Sequence, residues 1–296
     1  MTILVTGATG PLGHHLLEDL ADQRVAATAM VRVEAEAGGL PTGVEHVVAT
    51  LEDPPPPSVL QEYDHVLLTS PATEQQADLE VTFVDALVAA GHRPHVVKVA
   101  TDGFQDPQCQ VRFMRSDRQV AKHLDAIGLP VTYLAALTYM ESLLGLADVM
   151  RDEALVPVPA GDGKVGFVAT SDVAGVAAHV LTHPGHEDRV YVVSGPEALG
   201  YQDVAERVSA LFATTVEYVD TPAAQYADRL RSSGLPDWEV AGALELFDWV
   251  RHGAQDSVTD EVERATGEAA RPLTDWLREL RGAFLGRPAD LPPPQL

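Results

Sequence analysis

From residue 3 to about residue 134, short β-branched runs alternate with longer segments whose apolar residues recur at helical spacing. The runs at 3–6, 25–31, 44–48, 65–69, 96–100 and 131–134 predict strands, and the segments at 12–21, 76–90 and 111–127 predict helices. Strands alternating with helices imply βαβ units and a parallel sheet. The runs are nearly continuous in apolar character, as strands covered on both faces are. A seventh run, 190–193, follows a helix beginning near Asp172 and predicts a strand returned late to the same sheet.

Beyond about residue 200 the texture changes. Segments 202–212, 222–231, 238–250 and 272–284 predict helices, interrupted by Gly234-Leu235-Pro236 and Gly253. The prolines at 54–57 predict a stiff surface loop, and Pro292-Pro293-Pro294 a disordered end.

Composition narrows this picture. A chain of 296 residues, 46% hydrophobic, suffices for one large α/β domain with a smaller companion. Its 44 acidic residues against 20 basic ones leave a net charge of −24. Such a surface repels phosphate backbones and anionic lipid, so neither nucleic acid nor membrane is expected as a partner. Cys109 is the only cysteine, which excludes an internal disulfide and a cysteine-ligated zinc site. No secretory-type leader or membrane-length apolar run is apparent, so the expected location is cytoplasmic.

The sharpest motif follows the first strand. Gly7-Ala8-Thr9-Gly10-Pro11-Leu12-Gly13 sets glycines at spacing G-x-x-G-x-x-G between a strand and a helix. The first glycine permits the turn, the second a close approach to a pyrophosphate, and the third tight helix–strand packing. The helix offers unpaired N–H groups and its positive end to the phosphates, and Pro11 at its start gives up an N–H that has no helical partner. The expected fold is therefore α/β: a doubly wound parallel Rossmann sheet in residues 1–150, with 168–195 returning to it. A smaller, mostly helical substrate domain is expected in 196–296. The second strand ends in Arg32, which favours NADP(H) over NAD(H), although Glu34 and Glu36 close by oppose a phosphate.

These residues resemble the NmrA-like branch of the atypical short-chain dehydrogenases/reductases. The turn itself, Met30-Val31-Arg32, the stretch from Ala86 to Gly91, the stretch from Gly128 to Leu134, Tyr139-Met140-Glu141-Ser142-Leu143 and the stretch from Ser194 to Leu199 carry the resemblance in order. It implies NADPH-dependent reductases of the quinone and isoflavone type, and also redox-sensing regulators. It further implies that Gly7 to Leu12 lie under the pyrophosphate and Arg32 reaches the 2′-phosphate. Ser70 and Pro71 should line the ribose side, with Tyr139 near the nicotinamide.

The superfamily's catalytic Tyr-x-x-x-Lys pair and serine do not carry over. Phe113 stands at the tyrosine, Asp117 at the lysine and Ala100, beside Thr101, at the serine. The lysines of the chain, Lys98, Lys122 and Lys164, do not fit the vacant role: Lys122 points about 140° away from Asp117 on a helix, Lys98 is within a strand and Lys164 is in a turn. Candidate catalytic residues are then Asp117, Tyr139 and Thr101. Asp117 reads as a general base, a ribose ligand, or a solvated residue paired with Arg115 or Arg118; Tyr139 as a proton donor or core aromatic; Thr101 and Asp102 as edge or loop residues. His14 and His15 read as phosphate neighbours or partly exposed helix positions. No metal-ligand spacing and no nucleophile elbow occur, so no metal is expected.

Three functions remain open. The first is an NADPH-dependent reductase of a small, apolar, conjugated carbonyl compound. The second is a non-catalytic NADP(H) sensor with a protein partner. The third is a non-redox cyclase, isomerase or dehydratase.

Overall fold

The computed structural model describes residues 1–285, so the Pro292-Pro293-Pro294 end lies outside the described residues. In chain order the first part runs β1 (Ile3–Val5), α1 (Pro11–Asp22), β2 (Ala27–Val31), β3 (Glu45–Val48), α2 (Pro57–Leu60), β4 (His65–Leu68), α3 (Gln76–Ala89), β5 (His95–Thr101), α4 (Arg112–Ile127) and β6 (Val131–Ala136). Then come α5 (Ala147–Asp152), β7 (Leu155–Val158), β8 (Lys164–Val165), α6 (Thr170–Thr182), β9 (Arg189–Val193), β10 (Leu199–Gly200) and α7 (Tyr201–Phe212). The chain continues with β11 (Glu217–Asp220), α8 (Ala223–Ser232), α9 (Asp237–Arg251), α10 (Glu261–Thr266), α11 (Leu273–Glu279) and α12 (Arg281–Phe284).

Seven strands form one parallel sheet in the order β3-β2-β1-β4-β5-β6-β9. The late strand β9 joins beside β6, so the chain does return to the sheet after a long excursion. Alternate residues face opposite layers, as the pleat requires. Ile3, Val5, Leu67 and Val97 pack with α1 and α6, and Leu4, Val66, Leu68 and Val96 pack with α3 and α4. This is the doubly wound Rossmann-like arrangement. Its strand order reverses between β1 and β4, and ligands of such sheets bind beyond the carboxyl ends of the strands at that reversal.

A third apolar cluster joins Met140, Leu143, Val156, Val158 and Phe167 to Tyr201, Val204, Leu273 and Trp276. Residues 140–167 thus share a core with the helices beyond 199. Two small sheets reinforce that union: β7 pairs parallel with β11, and β8 antiparallel with β10. Neither sheet was expected. Two-residue strands carry no periodicity, and Pro157 within β7 argues against a strand from sequence, being tolerated only where no ladder N–H is needed.

Two further expectations need correction. The segment 272–284 is not one helix: at Leu280 the backbone leaves helical geometry (φ −90°, ψ 20°), separating α11 from α12. The proline run is not simply a surface loop either, since Pro55 is buried and Pro57 opens α2. Among the described residues, no helix is long and apolar enough to cross a membrane.

Candidate functional site

The glycine turn sits at the strand-order reversal. Gly7 has φ +58°, and a Cβ there would lie 2.8 Å from Thr69 Cγ2. At Gly13 a Cβ would meet the Gly7 carbonyl oxygen at 2.4 Å, so α1 packs against the turn at a distance only glycine allows. The Thr6 hydroxyl donates to the Thr69 carbonyl (2.8 Å) and accepts from the Thr69 N–H (2.9 Å), tying the exits of β1 and β4 together. Gly10 precedes α1 without a side-chain cap, Pro11 begins the helix, and no acidic side chain occupies its first turn. Thr9 is exposed, Ala8, Pro11 and Leu12 are buried, and Gly10 is half-buried. The cradle is therefore compact, electropositive by its backbone and open on one side, which fits a pyrophosphate.

Arg32, at the end of β2, is exposed (75% for its side chain), but its guanidinium is already engaged. Nε and Nη2 donate to Glu36 Oε1 at 3.0 and 2.7 Å, and the Arg32 N–H donates to Glu36 Oε2 at 2.9 Å. These bonds from Arg32 hold the Glu36 carboxyl below its ordinary range. Glu34 instead pairs with His46, 3.0 Å away.

Beneath the carboxyl edge lies a group of charges inside the core. Lys98, on β5, is 1% exposed, and its Nζ lies 2.9 Å from Glu80 Oε2, on α3, and 3.0 Å from Asp117 Oδ1, on α4. It also donates to the Val99 carbonyl at 2.6 Å. Asp117 accepts further from Gln76 Nε2 (2.9 Å) and the Thr101 N–H (2.8 Å). Ser70, half-buried just after β4, donates to Glu80 Oε1 at 2.7 Å. Burial lifts the Glu80 carboxyl above its ordinary range, with Lys98 opposing and Asp117 adding to the rise. Burial works against the Lys98 ammonium, yet Asp117 and Glu80 outweigh it and hold the lysine above its usual value.

The reading of Asp117 as a solvated residue paired with Arg115 or Arg118 is thus wrong. Asp117 is 3% exposed and Lys98 is its partner. Arg118 points the other way, donating to the carbonyls of Phe104, Asp106 and Cys109. Strand β5 and helix α4 lie side by side here, so Lys98 reaches Asp117 from within a strand, and neither Glu80 nor Gln76 belongs to a sequence motif.

Phe113 lies in the first turn of α4. It packs edge-on to Trp238 (5.4 Å between ring centres) and against Gly242, where a Cβ would come within 2.3 Å of its ring. Helix α9 thereby closes over the start of α4. Tyr139 is half-buried; burial first, then Glu141 and Asp117, push its hydroxyl upward, favouring the neutral, proton-bearing form. Thr101 is half-buried and meets Asp117 through its backbone. Burial also raises the half-buried Asp102 carboxyl. Pro71 is exposed beside Ser70. His14 and His15 are partly exposed and both lie near Glu18, 3.5 and 3.4 Å away. Among the described residues no cluster of His, Cys, Asp or Glu could hold a metal ion.

The model of the NmrA-like family matches residues 1–278. The chain is 28% identical over 285 residues to an NAD(P)H azoreductase of Xenophilus azovorans, covering 95% of this chain and 99% of that one. It is 32% identical over 287 residues to a (4-alkanoyl-5-oxo-2,5-dihydrofuran-3-yl)methyl phosphate reductase of Streptomyces griseus, covering 95% and 99%. Among solved structures, the NADPH complex of an Escherichia coli NADPH-dependent quinone oxidoreductase superposes with a TM-score of 0.85 at 25% identity, covering 94% of this chain and 99% of the other.

Proposed function

This chain belongs to the NmrA-like family, and from that premise we propose that it is a cytoplasmic NADPH-dependent reductase of small, flat, conjugated acceptors such as quinones and enones. The observation that carries the reading is the Gly7–Gly13 cradle at the strand-order reversal, where a side chain at Gly7 or Gly13 would come too close to its neighbours. Relatives that reduce azo compounds, quinones and an unsaturated lactone support the acceptor class. In this reading Gly7, Ala8, Thr9, Gly10, Pro11, Leu12 and Gly13 hold the pyrophosphate, and Arg32 meets the 2′-phosphate after parting from Glu36. Ser70 and Pro71 border the ribose, and Tyr139 and Thr101 border the nicotinamide.

The bound nicotinamide supplies the hydride. The protein aligns the acceptor against it and excludes water, which can account for much of the rate without a tyrosine–lysine pair. Asp117 is not a free general base in this reading, because its oxygens are taken by Lys98, Gln76 and the Thr101 N–H. The test is to mix the protein with NADPH and a panel of quinones, enones and azo dyes. Acceptor-dependent loss of the reduced nicotinamide's near-ultraviolet absorbance is expected, whereas tight NADPH binding without any such loss contradicts the proposal.

A further inference from the structure

The buried charges beneath the carboxyl edge do not balance. Glu80 and Asp117 would carry two negative charges against the single positive charge of Lys98, at exposures of 0%, 3% and 1%. An unmatched charge in such a place is costly, and the group sheds the cost by taking a proton. The hydrogen bonds indicate which carboxyl takes it. Asp117 accepts from Gln76 Nε2 at Oδ1 and from the Thr101 N–H at Oδ2, with Lys98 Nζ 3.0 Å from Oδ1, so both its oxygens are occupied as acceptors. Glu80 accepts from Lys98 and the Ser70 hydroxyl at Oε1 while its buried Oε2 has no hydrogen-bond partner among the described residues, and a hydroxyl can reverse its bond and accept. With the proton on Glu80, the network is a neutral acid beside one ion pair.

Ser70 is half-buried, follows β4, and lies at the reversal point beside the cradle; in the reading above it borders the ribose that carries the nicotinamide, next to where an acceptor would lie. We propose that Glu80 is the proton store of the reduction and that Ser70 is the hydroxyl that hands its proton to the acceptor. This rests on the reductase reading above. The balance is simple. As two electrons and hydrogen pass as hydride to the acceptor's carbon or nitrogen, the Ser70 O–H proton passes to the acceptor's heteroatom. The Glu80 O–H proton passes to Ser70 Oγ. The acceptor is reduced, the nicotinamide is oxidised, and Glu80 remains as a carboxylate until water returns its proton through Ser70. An oxidised, cationic nicotinamide bound at this edge would favour that carboxylate electrostatically. Burial and Asp117 lift Glu80, whereas Lys98 opposes the rise; the acid form therefore persists above the usual carboxylate range and is lost as pH rises through the raised value.

The experiment compares wild type, Ser70→Ala, Ser70→Thr and Glu80→Gln, with NADPH and menadione as the probe acceptor. General acids of this kind contribute roughly 100-fold or more. Ser70→Ala should therefore lose about 100-fold in kcat, a loss well beyond its effect on NADPH affinity measured by cofactor fluorescence, and Ser70→Thr should retain most of the rate. Glu80→Gln should abolish the high-pH limb of the kcat profile. A Ser70→Ala enzyme with wild-type kcat and pH profile overturns the relay. Should wild type fail to oxidise NADPH at all, the reductase reading falls, but the proton store is still tested. Calorimetry of NADP⁺ binding in buffers of different ionisation enthalpy should detect proton release in wild type and none in Glu80→Gln. Equal proton counts overturn the store. Should Glu80→Gln not fold, the same titration on Ser70→Ala, which lacks the exit hydroxyl but keeps the acid, must still show release.

Discussion

Lys98 on β5 and Asp117 on α4 meet at 3.0 Å within the core. Removing one partner of such a buried set leaves an uncompensated charge, which costs about 3–5 kcal/mol. Lys98→Met should lower unfolding free energy by that order in a urea titration. The triple replacement Glu80→Gln, Lys98→Met, Asp117→Asn should recover most of it. A Lys98→Met protein as stable as wild type would show that the pair carries no structural weight.

The cradle makes a separate prediction. A methyl group at Gly13 would enter the van der Waals shell of the Gly7 carbonyl, so α1 must move away from β1. Overpacking of this kind typically costs about 1–3 kcal/mol. Gly13→Ala should lose stability in that range and lose dinucleotide affinity with it, measured by cofactor fluorescence. Unchanged affinity would place the pyrophosphate elsewhere.

Arg32 is available to a 2′-phosphate only by leaving Glu36. An exposed ion pair is worth at most about 1 kcal/mol. Glu36→Gln should accordingly tighten NADPH binding by about two- to fivefold and leave NADH unchanged. Arg32→Ala should weaken NADPH roughly tenfold, or about 1.4 kcal/mol. Equal effects on both cofactors would separate Arg32 from the phosphate.

At the opposite edge of the sheet, histidines gather. The His65 and His95 rings lie 5.5 Å apart, His179 and His186 5.1 Å apart, and His95 Nε2 is 2.8 Å from Thr132 Oγ1. Burial is the main cause holding all four below the ordinary value of 6.5. Because the folded values are lower, the unfolded chain binds more protons below 6.5, and stability falls as pH drops through that region. The lowered carboxyls Asp64 and Glu187 act in the same direction but only at more acid pH, whereas Glu80, Asp102 and Asp172, raised by burial, act against it. The histidine share is read as the difference in urea-midpoint pH dependence between wild type and a His65→Asn, His95→Asn double variant; identical slopes through the histidine range would contradict it.

Much of the sheet was legible because its strands announce themselves: long apolar runs bounded by helical periodicity admit one architecture. The glycine turn was equally plain, since each glycine answers a mechanical need. Arg32 was readable as a cation at the right place, but not its capture by Glu36, which depends on a turn after β2. The buried charges were missed for a different reason. Lys98 breaks the apolar run Val96-Val97-Val99-Ala100, and Glu80 interrupts the helix face of Ala77, Phe83, Val84 and Leu87. A charge at a core position demands a partner, so two such interruptions on neighbouring elements were a readable signal. Short strands such as β8 and β10 left no comparable trace, because their pairing is set by tertiary contact.

Hydride transfer to a conjugated acceptor from NADPH held in the Gly7–Gly13 cradle is the step on which the proposed function stands. A single-turnover experiment with menadione, comparing NADPH with NADPH deuterated at the transferring C4 position, tests it most directly. Decay of the reduced nicotinamide's absorbance that requires menadione and slows on deuteration is the predicted result. Bound NADPH that persists unchanged in the presence of menadione and of other quinones and enones would contradict it.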